Sequence, residues 1–356
     1  MTAYPAWSPA SRPGIVPLHP YGFGTILGRS FTALRQNPRV LLGFALAVQA
    51  VAYVVLIVAS GGIAIASFSR LDTVPAGSDD YDAILAGSIA ITAVVTIALS
   101  LAAGVLTVLV QGVVVAEVAH SVVAEKPTLR AVWQRVRPVV WRLLGYSALL
   151  LVAAIVVVAG AAAIAIGVGV LLLPAGIGVG ILLALGGIPL YLWLTTKLFV
   201  VPAVIILERA PVFAAIARSW RLTRTRFWPT LGVIVIISLA FSVLAQVISV
   251  PLSLVSSAIA TIVAPTGDAE VGTLISVVVV QLIGQVGILL VQCIALVVQS
   301  TSAALVYVDA RMRHEGLDQD LLSYVEARDA GRGELADPYR AGIGRAAPAP
   351  RPNPAF

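Results

Sequence analysis

Few side chains in this 356-residue chain could do chemistry, and most of those stand apart. The three histidines, His19, His120 and His314, are widely separated, and the single cysteine, Cys293, lies in an apolar run. That spacing matches no metal-ligand pattern, and one cysteine cannot form a disulfide within the chain. Nothing near Cys293 would ionise it, so it reads as a buried, inert thiol. There is no HExxH, no G-x-S-x-G, no phosphate-binding loop and no CxxC. Gly-Phe-Gly at 22–24 lacks the rest of a nucleotide fingerprint. No catalytic residue, metal or cofactor is therefore expected.

Two polar features lie inside apolar runs. Lys197 is the one charge well within such a run. Intramembrane charge is costly and often functional, but a lysine can also snorkel from a boundary position. Both readings stay open, and no carboxylate within the runs offers it an obvious partner. Gln281, Gln285, Gln292 and Gln299 follow at steps of 4, 7 and 7, which places them on one helix face. Amide groups facing lipid would be unpaired. The stripe is therefore expected to face other helices, by interhelical hydrogen bonding, or a wet pathway. Gln49, Gln111 and Gln246 are candidate partners.

A third feature recurs. Phe31, Trp133 and Trp220 are each followed four residues later by arginine (Arg35, Arg137, Arg224) and twelve residues later by glycine (Gly43, Gly145, Gly232). Pro38, Pro138 and Pro229 lie inside the three intervals. The copies are 102 and 87 residues apart, and each precedes two apolar segments, which suggests a triplicated unit. In the third copy, Phe213, Ile216, Trp220 and Phe227 form one stripe, while Arg218 and Arg226 point the opposite way. Such a basic amphipathic helix suits the membrane interface, with rings at headgroup level and arginines toward phosphates. Phe31, Arg35, Trp133, Arg137, Arg218, Trp220, Arg221 and Arg224 are thus the candidates for binding lipid or a partner. The proline lets the chain bend from lying on the membrane to crossing it.

These residues need a membrane framework to position them. The chain is 59% hydrophobic and only 11% charged, with a mean hydropathy of +1.00. Soluble domains carry about 25% charge, so an all-α integral membrane protein is expected. Six runs exceed the roughly 20 residues that a crossing requires: 40–68, 84–115, 143–172, 177–207, 228–263 and 271–306. Tilt, kinking or projection could use the excess length. The third and fourth are split at 172–176, where Pro174 and Gly176 mark a tight turn. Gly160, Gly167, Gly169, Gly176 and Gly180 would allow close helix packing.

The connections near 69–83, 172–176 and 264–270 hold one arginine, Arg70, against six acids, among them Asp72, Asp268 and Glu270. The other side keeps 22 basic residues and 11 acids, which assigns it and both termini to the cytoplasm. The net charge of +6 follows from this topology and is no sign of nucleic-acid binding. No apolar h-region occurs in the first 39 residues, so no cleaved signal peptide is expected. The proline-rich residues 1–20 and the Ala/Gly/Pro/Arg-rich residues 330–356 are expected to be disordered. Residues 307–329 read as a helical extension broken near Gly316, with Leu321, Leu322 and Val325 able to dock it.

The stretches YGFGTILGRSFTALRQNPRVLLG, ARSWRLTRTRFWPTLG and ALVYVDARMRHEGLD resemble bacterial, especially actinobacterial, proteins carrying the glycerophosphoryl diester phosphodiesterase membrane domain. The likeness covers residues 22–325. Its most specific parts are Arg-Leu-Thr-Arg-x-Arg-Phe-Trp at 221–228 and Tyr-Val-Asp-x-Arg-x-Arg at 307–313. The resemblance implies a multi-pass membrane domain, and the family's enzyme activity is not carried over. The catalytic barrel of that family needs about 250 residues, and only 40 follow Gly316.

The expected organisation is therefore six transmembrane helices within 21–316, in three units near 22–115, 128–207 and 212–306, and a short helix at 317–329. Each unit pairs an interfacial amphipathic helix with a membrane hairpin. The leading functional expectation is a non-enzymatic accessory or scaffold protein that engages anionic lipid or a protein partner. A transporter or channel for a small or lipid-like solute is the alternative, and a lipid-headgroup enzyme the third.

Overall fold

The structure, a computed structural model, describes residues 19–36, 38–75, 77–263, 271–332 and 335–345. These are overwhelmingly helical, and no strand occurs among them. Six helical segments are long and apolar enough to cross a membrane. Short α1 (Phe23–Gln36) leads through a π-helical turn, Arg39–Gly43, into α2 (Phe44–Phe68). The long α3 (Asp79–Val122) runs back, and Ser88 Oγ donates to the carbonyl of Ser67 across that first hairpin at 2.9 Å. Short α4 (Leu129–Val136) precedes α5 (Val140–Leu171) and α6 (Leu173–Leu198). Then come α7 (Val201–Leu207), α8 (Val212–Leu222), α9 (Phe227–Val263), α10 (Val271–Glu315) and α11 (Leu317–Asp329).

Local chemistry explains the boundaries. The hydroxyl of Ser78 accepts from the amide of Tyr81 at the start of α3, where Asp79, Asp80 and Asp82 fill the first turn. Those carboxylates suit the positive end of the helix dipole. Thr128 caps α4 in the same way. The turn between α5 and α6 is tighter than the five residues expected, since Leu172 alone leaves helical geometry. Pro174 fits there because the first turn of a helix does not use its amide hydrogen. Gly176 then lies against Gly169, and a Cβ on Gly176 would stand 2.3 Å from the Gly169 Cα.

The spans are longer than a crossing needs. With a 1.5 Å rise per residue, the 44 residues of α3 and the 45 of α10 far exceed a hydrocarbon core of about 30 Å. Their surplus lies at the end carrying α4, α7 and α8, here called the basic end. There the core forms from Val110–Val122 of α3, all of α7, and Val297–Met312 of α10. The opposite tier is thinly packed, and most side chains of the α5–α6 hairpin are exposed. α9 and α10 meet closely through Gly284 and Gly287, which face Leu252 and Ile248.

One expectation needs correction. Residues 335–345 are not a loose tail: Pro338 and Tyr339 form a buried 3-10 turn against the bundle. Their partners stand far away in sequence, so composition alone could not show the docking. Of the other expected tail residues, 1–18, 333–334 and 346–356 lie outside the described residues, as do Asp268 and Glu270 and the side chain of Asp72. Gly316 does break the helix, with φ of 69°, and α11 docks on the bundle through Leu321 and Val325 while Leu322 stays exposed.

The glycine pair predicts an asymmetric pair of variants. Gly176→Ala should destabilise the protein by about 1–3 kcal/mol, because backbone rather than a side chain must yield. Gly169→Ala should cost less, since its added Cβ has its nearest neighbour at 3.7 Å. Thermal unfolding in detergent, followed by tryptophan fluorescence, checks the order.

Candidate functional site at the basic end

The C-terminal end of α10 carries a charge at every second position from Asp309 to Glu315: Asp309, Arg311, Arg313 and Glu315. In a helix, steps of two point to opposite sides and steps of four to the same side. Tyr307, Arg311 and Glu315 therefore share one face, and Asp309 and Arg313 share the other. Each face meets its own set of partners.

On the first face, Arg311 is fully buried at 0% accessibility. Its Nε donates to Glu315 at 2.7 Å, and its Nη1 to the Tyr307 hydroxyl at 3.1 Å. Nη1 and Nη2 also donate to the carbonyls of Tyr339 and Ala341, at 2.5 and 2.8 Å. Arg218 of α8 bridges Glu208 and Glu315, at 3.0 and 2.5 Å. Tyr307 donates to Glu208 at 2.9 Å. Two buried arginines thus face two carboxylates with no net charge. Burial works against the Arg218 cation, but its hydrogen bonds to Glu315 and Glu208 outweigh this and raise its pKa above the ordinary value. The 335–345 segment closes the cluster: Tyr339 donates to the carbonyl of Ala119 at 2.8 Å, and Asp337 pairs with Arg135 at 2.6 Å. Burial pushes the Tyr339 phenol upward in pKa.

On the second face, Asp309 accepts from the Tyr21 amide at 2.7 Å and from Arg313 at 2.9 Å. Arg226 approaches it at 3.5 Å, and Arg313 also donates to the Tyr21 carbonyl at 2.7 Å. The entry to α1 is thereby tied to the exit from α10.

These pairings overturn one expectation. Arg218 does not reach outward toward phosphates; it is buried and bound to acids. Arg226 is likewise turned toward Asp309. The polar face of α8 packs inward through Ala215, Arg218, Ser219 and Leu222, and Phe213 and Trp220 lie on the outer side. At an apolar surface the ring stripe can face out, and charge goes in wherever acids await it. Those acids, Glu208 and Glu315, lie 10 and 97 residues from Arg218.

The other candidates do lie outside. Phe31, Trp133 and Trp220 are exposed to nearly equal degrees, 41%, 38% and 37%. Arg137, Arg221 and Arg224 are exposed and form no ion pair among the described residues. The side chain of Arg35 lies outside the described residues. The repeat glycines differ: a Cβ on Gly232 would meet the Phe23 ring at 3.2 Å, whereas Gly43 and Gly145 face open space.

Lys197 stands at the basic end of α6, where the helix breaks at Phe199–Val200. Pro202 has no amide hydrogen to offer the Leu198 carbonyl, which instead faces the Tyr146 hydroxyl at 3.5 Å. The Lys197 carbonyl accepts from Ser219 of α8 at 2.6 Å. The lysine is both terminal and buried, 7% accessible, with Nζ 5.7 Å from the Trp220 ring centre and 5.6 Å from that of Phe227.

The glutamine stripe does not form the expected interhelical bonds. Gln281 and Gln292 are exposed, Gln285 and Gln299 half-buried, and none bonds to another helix among the described residues. The close face of α10 carries Gly284 and Gly287, and the stripe lies about a quarter-turn away from it. Gln292 instead lines a groove of about 190 Å³ between α2, α3 and α10, with Gln49, Tyr53 and Thr107.

No family model, no curated protein and no solved structure matches this chain.

The residues missed from sequence are Tyr307, Asp309, Arg311, Glu315, Glu208 and Tyr339. A signal existed in charges at i and i+4 on two faces of a helix continuous with an apolar run. Removing one member of a buried ion pair strands the other, at a cost of about 3–5 kcal/mol. Arg311→Met should therefore destabilise strongly, whereas Arg224→Gln should stay within about 0.5 kcal/mol as an exposed change. Denaturant unfolding in mixed micelles measures both.

Proposed function

We propose that this chain is a non-enzymatic multi-pass protein of the bacterial plasma membrane, with its termini in the cytoplasm. It acts as an accessory or scaffold protein that engages anionic lipid at its basic end. One observation carries this reading: that end holds two distinct sets of arginines. Arg218, Arg226, Arg311 and Arg313 pair with acids of the chain. Arg137, Arg221 and Arg224 remain exposed and unpaired among the described residues, beside part-exposed Trp133 and Trp220. Unpaired cations and aromatic rings together suit an anionic headgroup layer.

The near-equal exposure of Phe31, Trp133 and Trp220 supports a three-unit organisation in which each short helix, α1, α4 and α8, rests at the same leaflet. The likeness to the glycerophosphoryl diester phosphodiesterase membrane domain belongs to this proposal. Its two most specific motifs are the ones that supply Arg221, Arg224 and the α10 charges.

Each exposed basic residue near an anionic surface contributes about 1 kcal/mol. Replacing Arg137, Arg221 and Arg224 together with Gln should therefore strip most co-purifying anionic lipid, as measured by mass spectrometry of extracted lipid. Unchanged lipid content would count against the reading.

The groove at Gln49 and Gln292 favours a second reading, passage of a small or lipid-like solute. Cysteines placed at these two positions in a Cys293→Ala background should then react with a water-soluble maleimide. Full protection at both would remove a wet pathway.

A further inference from the structure

We propose that Lys197, Arg224, Trp220 and Phe227 form a binding site for a phosphate group. The proposal rests on the reading of the basic end as a headgroup-level surface, and it names the ligand chemistry and the residues that bind it.

Lys197 differs from the other buried cations. Arg218 and Arg311 each face carboxylates. Even the partly exposed Arg135, Arg226, Arg313 and Arg328 have one within 4.0 Å. Lys197 is as buried as Arg218, at 7%, yet no acid and no hydrogen-bond acceptor meets its ammonium among the described residues. Two ring faces attract the charge, but they do not satisfy three N–H donors.

The position is built, not incidental. The break after α6 and the Ser219 hydroxyl hold the Lys197 backbone. Trp193, one turn earlier, meets Trp220 edge-on at 5.0 Å and sets the ring on which the ammonium rests. The second charge close enough to interact with Lys197 is another cation, Arg224. Two like charges, one of them over the Trp220 and Phe227 rings, repel one another unless an anion joins them. Lysine supplies a point charge and arginine a planar fork of donors, a pairing suited to the several oxygens of a phosphate. Trp193 and Trp220 are partly exposed, so the notch opens outward at the level where tryptophan meets lipid headgroups. The anions available there are phosphates. A cationic ligand is excluded by the charge, and a neutral one would leave the repulsion in place.

The test uses the full chain in detergent, titrated with phosphatidylglycerol, with diacylglycerol as the phosphate-free control, and with inorganic phosphate. Native mass spectrometry reads bound lipid. The expected result is a phosphatidylglycerol adduct whose affinity falls about tenfold in Lys197→Gln, the loss of one charge-assisted bond. Lys197→Arg should restore it, and diacylglycerol binding should not change. Displacement of the lipid by millimolar phosphate in the wild type, but not in Lys197→Gln, would identify free phosphate as the ligand. Persistence of the adduct would identify the lipid. If Lys197→Gln does not fold, Arg224→Gln makes the same test at an exposed position. Unchanged phosphatidylglycerol affinity in a folded variant overturns the site. Lipid loss in the Arg137/Arg221 double variant but not in Lys197→Gln leaves the general reading standing and removes this one. The reverse pattern does the opposite.

Discussion

The basic end depends on balanced charge in a dry interior. Two arginines and two glutamates meet where α7, α8, α10 and the 335–345 segment converge. None of these groups could stay ionised there alone, because desolvation of one charge exceeds what any single neutral contact returns. Each partner therefore requires the others, and the elements that carry them are fixed together. The cluster also fixes what lies outside. With Arg218 turned inward, α8 has one orientation left, and that orientation presents Trp220 and Arg221 outward, with Arg224 exposed in the turn that follows.

The two tiers of the molecule are stabilised differently. At the basic end, valine-rich turns of α3, α7 and α10 pack against one another and exclude solvent. Toward the acidic end the helices meet at a few close approaches, through Gly176 on Gly169 and through Gly284 and Gly287 on α9. This matches the physics of a bilayer, where lipid is as apolar as leucine and burial by itself gives helices no reason to associate. The α5–α6 hairpin shows the extreme case, two helices joined through one non-helical residue and packed chiefly on each other.

Charge placement links the two tiers to the proposed role. Arg218, Arg226, Arg311 and Arg313 are matched by acids of the chain, while Arg137, Arg221 and Arg224 are left at the surface. Lys197 combines burial with the absence of an acid. Its site is assembled from three helices: α6 supplies the lysine and Trp193, α8 supplies Trp220, and α9 supplies Phe227. No single segment contains it.

Much of this was legible in the residues themselves. Apolar runs long enough to cross a bilayer, the proline and glycines at the sharp hairpin turn, and the break at Gly316 are local properties, set by solvation and by backbone geometry. The sequence alone determined six apolar spans and the exposure of Trp133, Arg137, Trp220 and Arg224, but α3 and α10 run seven and nine residues past the ends expected at 115 and 306. Only the tertiary structure decided which arginines are inside. Arg218 and Arg224 lie on adjoining turns and read alike, but one finds Glu315, 97 residues away, and the other finds no acid among the described residues. The same holds for Tyr339, whose burial depends on Ala119 and Arg311. Helical periodicity tells which residues share a face. It cannot tell which face meets a partner, because a charge takes its place from groups that are distant in the chain and near in space.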